Sequence, residues 1–372
     1  MRILLFGEYS GFHNHLKDGL MKLDQDVVIA SRKDGFKNLP SDYSFDSGFK
    51  NRYLNYLHMV SKYVASLREL KGFDVLQIMN AGIVSYESLR FNRFILEQLI
   101  KNNQKTFLSG AGEDPVIWDY WMKHSGDLKY SWLEGAREDH LRKSSAELPQ
   151  ENADFLQWNK DLLAKIDGYI PIMFEYSVPY SGYPIPKRTI PIPVNIDKIK
   201  YRDNMVGNKI KIFHGLNRYG MKGTQFVEKA FEILRRKYPN DLELTIAGQL
   251  PLKEYLEVTG AANVIVDQTR SYSLAMNALF SMAQGKVVLG GNEPESATAL
   301  HYSTENPAIN ITPDAQQIVA QVEMLLDDKI ALGDLGYKSR QFVEKEHHYI
   351  NVAQQYLDFW SESSGLNKRD KN

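Results

Sequence analysis

The sequence of 372 residues contains no cysteine. This absence excludes a disulfide framework, a thiolate metal site and a cysteine nucleophile. The net charge of −1, from 45 basic and 46 acidic residues, provides no bulk field for binding a nucleic acid. No apolar run approaches the roughly 18 residues of a membrane span, and the N-terminal run 3–6 is too short for a signal peptide. We therefore expect a soluble, cytoplasmic globular protein.

What the sequence does contain is a repeated alternation of strand and helix patterns. Apolar runs typical of buried parallel strands lie at residues 2–6, 27–30, 75–79, 106–109 and 168–173. After residue 200 the same pattern predicts strands at 209–214, 242–247, 264–266 and 287–289. Helical patterns separate these runs, and a final helix is predicted at about 335–360. The alternation predicts an α/β fold with two Rossmann-like, doubly wound domains.

Proline marks the boundary between the two halves. Six of the 14 prolines lie between Pro171 and Pro193, a density that stiffens the chain and prevents a helix. We predict an N-terminal domain over 1–193, a C-terminal domain over 194–344, a helix at about 345–366 that packs back on the first domain, and a disordered tail at 367–372. Two such domains are expected to face each other across a cleft that binds ligands.

The segment 114–159 is longer than a connection needs and carries four of the five tryptophans. Long insertions of this kind are often lids or walls of a binding site. A helical excursion that packs on its own domain is the alternative.

The most informative motif is the segment 214–224, HGLNRYGMKGT. It follows a predicted strand and opens a predicted helix. Arg218 can donate to two phosphate oxygens, Lys222 adds a second positive charge, and the backbone N–H groups at the helix start favour an anion. This pattern predicts a diphosphate site. A surface loop with two solvated charges is the alternative.

Two further loops follow strands in the second half. In residues 267–273, Ser271 or Ser273 is predicted to be the N-cap of a helix over 275–284, and the amides behind it would hold the same diphosphate. In residues 290–295, Glu293 and Glu295 are placed to bind sugar hydroxyls. An N-cap without a ligand and two solvated loop charges are the respective alternatives.

In the first half, the loop 7–15 follows the first strand and leads into a helix. Gly11 would allow close backbone approach of a ligand, and His13 or His15 would contact a hydroxyl or act as a base. Asp114 lies at the end of another strand and is an acidic candidate for the same ligand. The helix within 50–71 mixes basic and aromatic residues, which fits either contact with an anionic membrane or a solvated face.

Together these residues resemble the nucleotide-sugar-dependent glycosyltransferases of the B-type fold, in their retaining, family-four-like group. The resemblance is carried by 214–224, the hinge 192–197 (IPVNID), the pair 247–248 (AG), the pair 267–268 (DQ) and the string 281–286 (SMAQGK). The first half matches by its layout, including 110–114 (GAGED).

The resemblance implies transfer of a sugar from a nucleoside diphosphate, held by the C-terminal domain, to an acceptor held by the N-terminal domain. The acceptor would be a saccharide or a lipid-linked saccharide, in bacterial surface polysaccharide synthesis at the inner face of the membrane. The predicted catalytic residues are Arg218, Lys222, His15 and Asp114. The predicted donor-binding residues are Gly11, His214, Gly215, Asn217, Gly223, Gln268, Ser273, Asn277, Glu293 and Glu295.

No metal and no cofactor is expected, because the one Asp-x-Asp string, at 24–26, lies in a predicted turn. The sequence departs from the family where two glutamates usually contact the donor. Those positions are Tyr272 and Phe280, and Asn277 with Glu293 or Glu295 is our hypothetical substitute. A sugar-nucleotide epimerase of the same fold and a non-catalytic glycan-binding protein remain alternatives.

Overall fold

The computed structural model describes residues 1–85, 88–130, 132–143, 151–216, 218–248 and 252–363. The chain forms two compact units. Unit 1 comprises Met1–Asp119, Glu147–Pro193 and Tyr349–Asn372, and unit 2 comprises Tyr120–Ala146 and Val194–His348. The division between Pro193 and Val194 coincides with the end of the proline-rich stretch. The segment 120–146 belongs to unit 2, whereas the predicted N-terminal domain, 1–193, includes it.

The strands are short and the helices connect them in alternation. The strands are β1 (Arg2–Phe6), β2 (Asp26–Ser31), β3 (Tyr43–Ser44), β4 (Val75–Ile78), β5 (Lys105–Gly110), β6 (Gly168–Pro171), β7 (Ile210–Gly215), β8 (Leu242–Ala247), β9 (Val264–Val266), β10 (Val287–Gly290) and β11 (Ile309–Asn310). The helices are α1 (Phe12–Lys22), α2 (Arg52–Ser66), α3 (Leu89–Asn102), α4 (Pro115–Lys123), α5 (Trp132–Lys143), α6 (Ala153–Leu163), α7 (Phe174–Ser177), α8 (Thr224–Lys237), α9 (Leu252–Ala261), α10 (Met276–Ala283), α11 (Pro294–Leu300), α12 (Ala315–Asp327), α13 (Ala331–Glu346) and α14 (Tyr349–Glu362).

Unit 1 is built on a parallel sheet in the order β3-β2-β1-β4-β5-β6. Ile3 of β1 pairs with Val27 on one side and Val75 on the other. Helices cover both faces of such a sheet, and residues 3–6 of β1 and 75–78 of β4 are all buried. The helix α14 completes the unit by packing on α1, where a Cβ on Gly19 would lie 2.3 Å from the carbonyl oxygen of Tyr349.

Unit 2 is built on a second parallel sheet, in the order β11-β10-β9-β7-β8. The helix α8 shows why these elements form. Its buried side chains Val227, Ala230, Phe231 and Leu234 follow helical spacing, and they pack in one core with strands β7, β9 and β10. The basic residues of its last turn, 235–237, complement the negative end of the helix dipole.

The predicted final helix over 335–360 is in fact two helices, α13 and α14. The chain leaves the helical path after Glu346, where the carbonyl oxygen of His347 accepts a hydrogen bond from the backbone N–H of Val194 at 2.8 Å. His347 has a φ of −120° and a ψ of 10°, outside the α-helical range, so α13 ends before it. The predicted tail, 367–372, lies outside the described residues. Within the described ranges, no helix is both long and apolar enough to cross a bilayer.

Candidate functional site

The loop between β7 and α8 contains the predicted diphosphate motif, and its histidine connects elements inside unit 2. His214 is fully buried. Its Nδ1–H donates to the carbonyl oxygen of Val266 at 2.8 Å, and its Nε2 accepts from the Thr224 hydroxyl at 2.9 Å. Burial, and secondarily the charge of Lys222, lower the His214 pKa to about 4. The ring is therefore neutral and joins β7 to β9 and to α8.

The two predicted cations of this loop differ in their surroundings. Lys222 is buried, and its Nζ lies 2.9 Å from Oδ1 of Asp267, at the carboxyl end of β9. Arg218 is exposed, and its guanidinium contacts the Met221 sulfur at 2.9 Å. Gly223 is the N-cap of α8, with a left-handed φ of 64°. A Cβ there would lie 2.0 Å from the Thr269 hydroxyl oxygen, so glycine is required.

The backbone N–H groups of the loop have partners within unit 2. Asp139 of α5 accepts from the N–H of Gly220 at 2.7 Å and from that of Met221 at 3.0 Å. The N–H groups of Lys222, Gly223 and Thr224 donate to carbonyl oxygens of the same loop. A carboxylate of the chain thus occupies the kind of backbone anion site that we predicted for a diphosphate. Gly215 is the buried last residue of β7, and Asn217 lies outside the described residues.

The insertion segment, residues 120–146, makes this contact through α5. Gly135 and Gly220 meet backbone to backbone: a Cβ on Gly135 would lie 2.1 Å from the Gly220 carbonyl oxygen, and a Cβ on Gly220 2.3 Å from that of Gly135. Glu138 lies 3.7 Å from the guanidinium of Arg270, which is itself buried. The insertion segment is therefore closely packed on the β7–α8 loop.

The loop between β9 and α10 differs from the prediction at its cap. The N-cap of α10 is Ala275, with no side-chain cap among the residues that the structure describes. Ser273 is buried and accepts instead from the Ser296 hydroxyl at 2.9 Å. The prediction of Ser271 or Ser273 as N-cap is therefore wrong. Gln268 and Asn277 are half-buried, and Asn277 lies in the first turn of α10.

Glu293 follows β10 and is held by three donors. Its carboxylate accepts from Lys129 Nζ at 2.6 Å, from the Tyr130 hydroxyl at 2.7 Å and from Asn310 Nδ2 at 2.7 Å. Burial raises the Glu293 pKa, but these three hydrogen bonds outweigh it and hold the pKa below the usual value. Glu295 is more exposed and lies 2.8 Å from the same Lys129 Nζ.

Tyr272, which stands at one of the two family glutamate positions, also contacts the insertion segment. Its hydroxyl accepts from the Lys129 backbone N–H at 2.9 Å, and its ring lies 5.1 Å from that of Tyr130. A cavity of about 300 Å³ within unit 2 is lined by Lys129, Tyr130, Phe226 and Arg270, among others. The insertion segment therefore supplies a wall of this cavity.

In unit 1, three of the residues considered above lie at the end of the loop after β1 and in the first turn of α1. Gly11 precedes α1 with a φ of 87°, and His15 is half-buried in the first turn. His13 is fully buried, with Nδ1 donating to the Gly7 carbonyl oxygen at 2.7 Å. Burial lowers the His13 pKa to about 4, so this ring is neutral.

Asp114 is buried at the start of α4, where its two oxygens accept hydrogen bonds within unit 1. Oδ1 accepts from the Ile117 backbone N–H at 2.8 Å, and Oδ2 accepts from the Tyr180 hydroxyl at 2.8 Å. Burial raises the Asp114 pKa to about 6. This geometry is that of a helix N-cap.

Sequence reasoning did not select Glu8, Lys129, Tyr130, Asp139 or Arg270. Glu8 stands in the predicted loop, but nothing in the sequence distinguishes a buried carboxyl there from a solvated one. Asp139 lies 81 residues from its partner Gly220, and no local pattern reports a pairing at that distance. Within the described ranges, no group of three or more His, Asp or Glu side chains is placed to hold a metal ion.

No family model matches the sequence, and no curated protein is similar enough to match it. Solved structures do match. Sucrose-phosphate synthase from Thermosynechococcus elongatus superposes with a TM-score of 0.63 at 14% identity, over 97% of this chain and 99% of that chain. HepE from Anabaena, in complex with UDP-glucose, has a TM-score of 0.58 at 12% identity over 97% and 100%.

A glycosyltransferase from Rickettsia africae has a TM-score of 0.54 at 10% identity, over 98% of this chain and 99% of that chain. At such identities the likeness concerns the fold. Each unit has a parallel sheet flanked by helices, and the match to these structures confirms the predicted fold class. The chain has the B-type glycosyltransferase fold.

Proposed function

We propose that the protein is a glycosyltransferase that takes a sugar from a nucleoside diphosphate donor bound by unit 2. One observation carries the proposal: the neighbouring strands β7, β9 and β10 end at the same edge of a parallel sheet, and the loops there hold charges of both signs. Ligands of doubly wound folds bind outside the carboxyl ends of the strands. The fold match supports the proposal, since HepE was solved with UDP-glucose.

The charges suit the two parts of such a donor. Lys222 and Arg218 lie in the loop after β7, and the N-terminus of α10 adds partial positive charge. These groups would stabilise the negative charge that develops on the departing diphosphate. Glu293 and Glu295, after β10, would accept hydrogen bonds from hydroxyls of the donor sugar. A carboxylate has about four lone-pair positions, so Glu293 keeps capacity beyond its three donors.

The finer parts of the proposal come from the family resemblance. Transfer would retain the anomeric configuration and require no metal, because Lys222, Arg218 and helix N–H groups supply the positive charge. The acceptor would be a saccharide or a lipid-linked saccharide of a bacterial surface polysaccharide. The protein would act in the cytoplasm, in contact with the inner face of the membrane when the acceptor is lipid-linked.

The test begins with a thermal-shift screen of UDP, GDP, ADP and CDP, then of the matching sugar nucleotides. A ligand that binds only the folded state raises the melting temperature by mass action. Calorimetry then compares the best nucleotide on wild type, Arg218→Met and Lys209→Met. Arg218 is exposed, so its replacement leaves the core intact, and we expect binding at least tenfold weaker. Lys209, which donates to the Pro239 carbonyl oxygen, is the matched control.

The outcomes separate the alternatives. Release of nucleoside diphosphate only when an acceptor is present supports transfer, whereas interconversion of the donor sugar without acceptor indicates an epimerase. Binding of no nucleotide at millimolar concentration would contradict both and leave the glycan-binding alternative. Proton NMR of the product's anomeric signal reports the stereochemistry, and activity in excess EDTA reports the metal requirement.

A further inference from the structure

The insertion segment contacts the strand-end loops of unit 2 with groups opposite in polarity to those of the loops. Asp139 and Glu138 of α5 face the loops after β7 and β9, which offer backbone N–H groups and a cation. Lys129 and Tyr130 donate to Glu293 after β10. The proposed function places the phosphates of a nucleotide-sugar against the first two loops and its hydroxyls against the third. The segment therefore presents acids in place of phosphates and N–H and O–H groups in place of hydroxyls.

Asp139 makes the contact that a diphosphate would need. Its Oδ1 accepts from the backbone N–H of Gly220 at 2.7 Å, and its Oδ2 accepts from that of Met221 at 3.0 Å. Two successive N–H groups that converge on one anion form a phosphate-binding arrangement. Each N–H has a single proton, so Asp139 and a phosphate cannot both accept it in a short hydrogen bond. Anion binding at these two amides therefore requires α5 to move away.

Arg270, after β9, is a buried cation that the segment pairs only loosely. Glu138 lies 3.7 Å from its guanidinium, which is beyond hydrogen-bond distance. Its Nη1 is buried and has no hydrogen-bond partner in the part of the chain that the structure describes. A buried guanidinium has five N–H groups to satisfy, and leaving them unmade costs free energy. This is expected of a group whose full anionic partner binds only after the segment has moved.

The remaining polar contacts of the segment are of a kind that a ligand can replace. Lys129 is exposed, and its ion pairs with Glu293 at 2.6 Å and Glu295 at 2.8 Å face solvent on the lysine side. Solvent-exposed ion pairs contribute little net free energy. A diphosphate carries more negative charge than the single carboxylate of Asp139. Both ends of the segment continue into unit 1, so the segment can leave these loops and remain attached to the protein.

We propose that the insertion segment is an autoinhibitory cover of the nucleotide site, in which Asp139 occupies the backbone N–H groups that bind the diphosphate. The inference rests on the proposed function and adds a control of the same site. Nucleotide binding and attachment of α5 compete, so only the fraction of molecules with α5 released binds the nucleotide. The apparent dissociation constant is the intrinsic one divided by that fraction. Changes that loosen α5 therefore tighten nucleotide binding.

The first test changes the charge of the contact. UDP, GDP, ADP and CDP are titrated by calorimetry into wild type, Asp139→Asn and Asp334→Asn. Asp139→Asn replaces one of the two accepting oxygens with an N–H group, which releases α5. We expect the tightest-binding nucleotide to bind this variant at least fivefold more tightly than wild type. Asp334→Asn removes the same charge from unit 2 at an exposed ion pair with Lys338, and should bind like wild type.

A second variant loosens α5 without changing a charge, and it also covers the case in which Asp139→Asn does not fold. Gly135→Ala places a Cβ 2.1 Å from the Gly220 carbonyl oxygen, which pushes α5 away from the loop and should also tighten binding. Gly126→Ala lies in the same segment, where a Cβ meets no atom of the described residues within 4 Å. It should bind like wild type. The proposal is overturned if neither variant binds more tightly than its control.

Hydrogen exchange of the wild-type protein gives an independent readout. Saturation with the best nucleotide should make the amide protons of α5, Trp132–Lys143, exchange faster, because the helix loses its packing partner. A fixed wall of the site would instead become better protected, so unchanged or slower exchange overturns the proposal. If no nucleotide binds wild type or either variant, the proposed function itself fails. If wild type binds a nucleotide and both variants bind it like their controls, only the autoinhibitory role fails.

Discussion

The loops after β1 and after β7 share one backbone design and differ in their charges. Each follows an inner parallel strand and enters a helix through a glycine with positive φ, Gly11 at 87° and Gly223 at 64°. In unit 1 the buried acid Glu8 has one unpartnered oxygen among the described residues. In unit 2 the buried cation Lys222 is paired with Asp267. The same local fold therefore presents a titratable acid in one unit and an ion pair in the other.

The insertion segment accounts for part of this difference. Asp139 occupies backbone N–H groups of the β7–α8 loop, and Lys129 pairs with Glu293. These contacts are all inside unit 2. The loop of unit 1 is instead closed by near neighbours in sequence, such as Asn14 with Glu8 and Gly7 with His13. The loop after β7 is thus cross-linked by charged groups from distant segments, whereas the loop after β1 is closed mainly by local hydrogen bonds.

The largest effect is expected where the ion pair of unit 2 is broken. Lys222→Met leaves the Asp267 carboxylate buried without its partner, which should cost about 3–5 kcal/mol in the free energy of unfolding. Urea denaturation followed by tryptophan fluorescence measures this. The double variant Lys222→Met with Asp267→Asn should recover most of the loss, since no charge is then buried alone. A single-variant cost near zero would show that this loop is not charge-paired in solution.

The next largest effect is the pH dependence of the free energy of unfolding that Glu8, the buried acid of unit 1, should cause. The folded-state pKa of Glu8 is raised from 4.5 to about 7, so between these values the native state binds more protons than the unfolded state. Stability should therefore fall as pH rises, by about 3 kcal/mol between pH 4.5 and 7 for this group. Urea unfolding of wild type and Glu8→Gln at several pH values isolates the contribution of Glu8 to this pH dependence. The variant should gain stability relative to wild type as pH rises, and a pH-independent difference would contradict the raised pKa.

The contact made by the insertion segment should contribute less. Asp139→Ala removes a charged acceptor from two backbone N–H groups, and we expect a loss of about 2 kcal/mol. Hydrogen exchange gives the more specific signal: the amide protons of Gly220 and Met221 should exchange faster, while that of Val227 in α8 should exchange as in wild type. Unchanged exchange at both loop amides would mean that Asp139 does not hold them.

The smallest effect concerns the close backbone approach of α5 to the loop. Gly135→Ala places a Cβ 2.1 Å from the Gly220 carbonyl oxygen. Overpacking of about 1–3 kcal/mol should be partly offset by the better helix propensity of alanine, for a net loss of about 1 kcal/mol. Gly126→Ala is the matched control, because its Cβ would meet no atom within 4 Å. Equal unfolding free energies for the two variants would place α5 further from the loop.

The strands of both sheets could be predicted because their apolar runs report burial directly. The sequence predicts β1, β8 and β9 with the bounds that the structure has. The two-residue strands β3 and β11 were missed, because two residues carry no period. The division of the last helix was also missed, since no glycine or proline marks the break at His347, whose carbonyl pairs with Val194, far away in the sequence.

Residues of the candidate site could be predicted only where a short stretch of sequence is enough to identify them. The loop 214–224 could be selected because glycines and cations lie together, and Glu293 because it follows a strand. What each side chain contacts could not be predicted. Ser273 stands where an N-cap is expected from the sequence. Its hydroxyl oxygen instead accepts a hydrogen bond from the hydroxyl of Ser296, 23 residues away. That Glu8 is buried, with one oxygen unpartnered among the described residues, could not be read from the sequence.

The position of α14 has a consequence for how the chain is made. Trp360, near the end of this helix, donates from Nε1 to Gln77 Oε1, and its carbonyl oxygen accepts from Lys105 Nζ. The strand β1 of unit 1 is synthesised before unit 2, yet unit 1 lacks the buried side chain of Trp360 until that residue has been synthesised. Unit 2 has all its residues once His348 is synthesised. At about 5–20 residues per second, the unit that starts second is therefore the first that can finish folding.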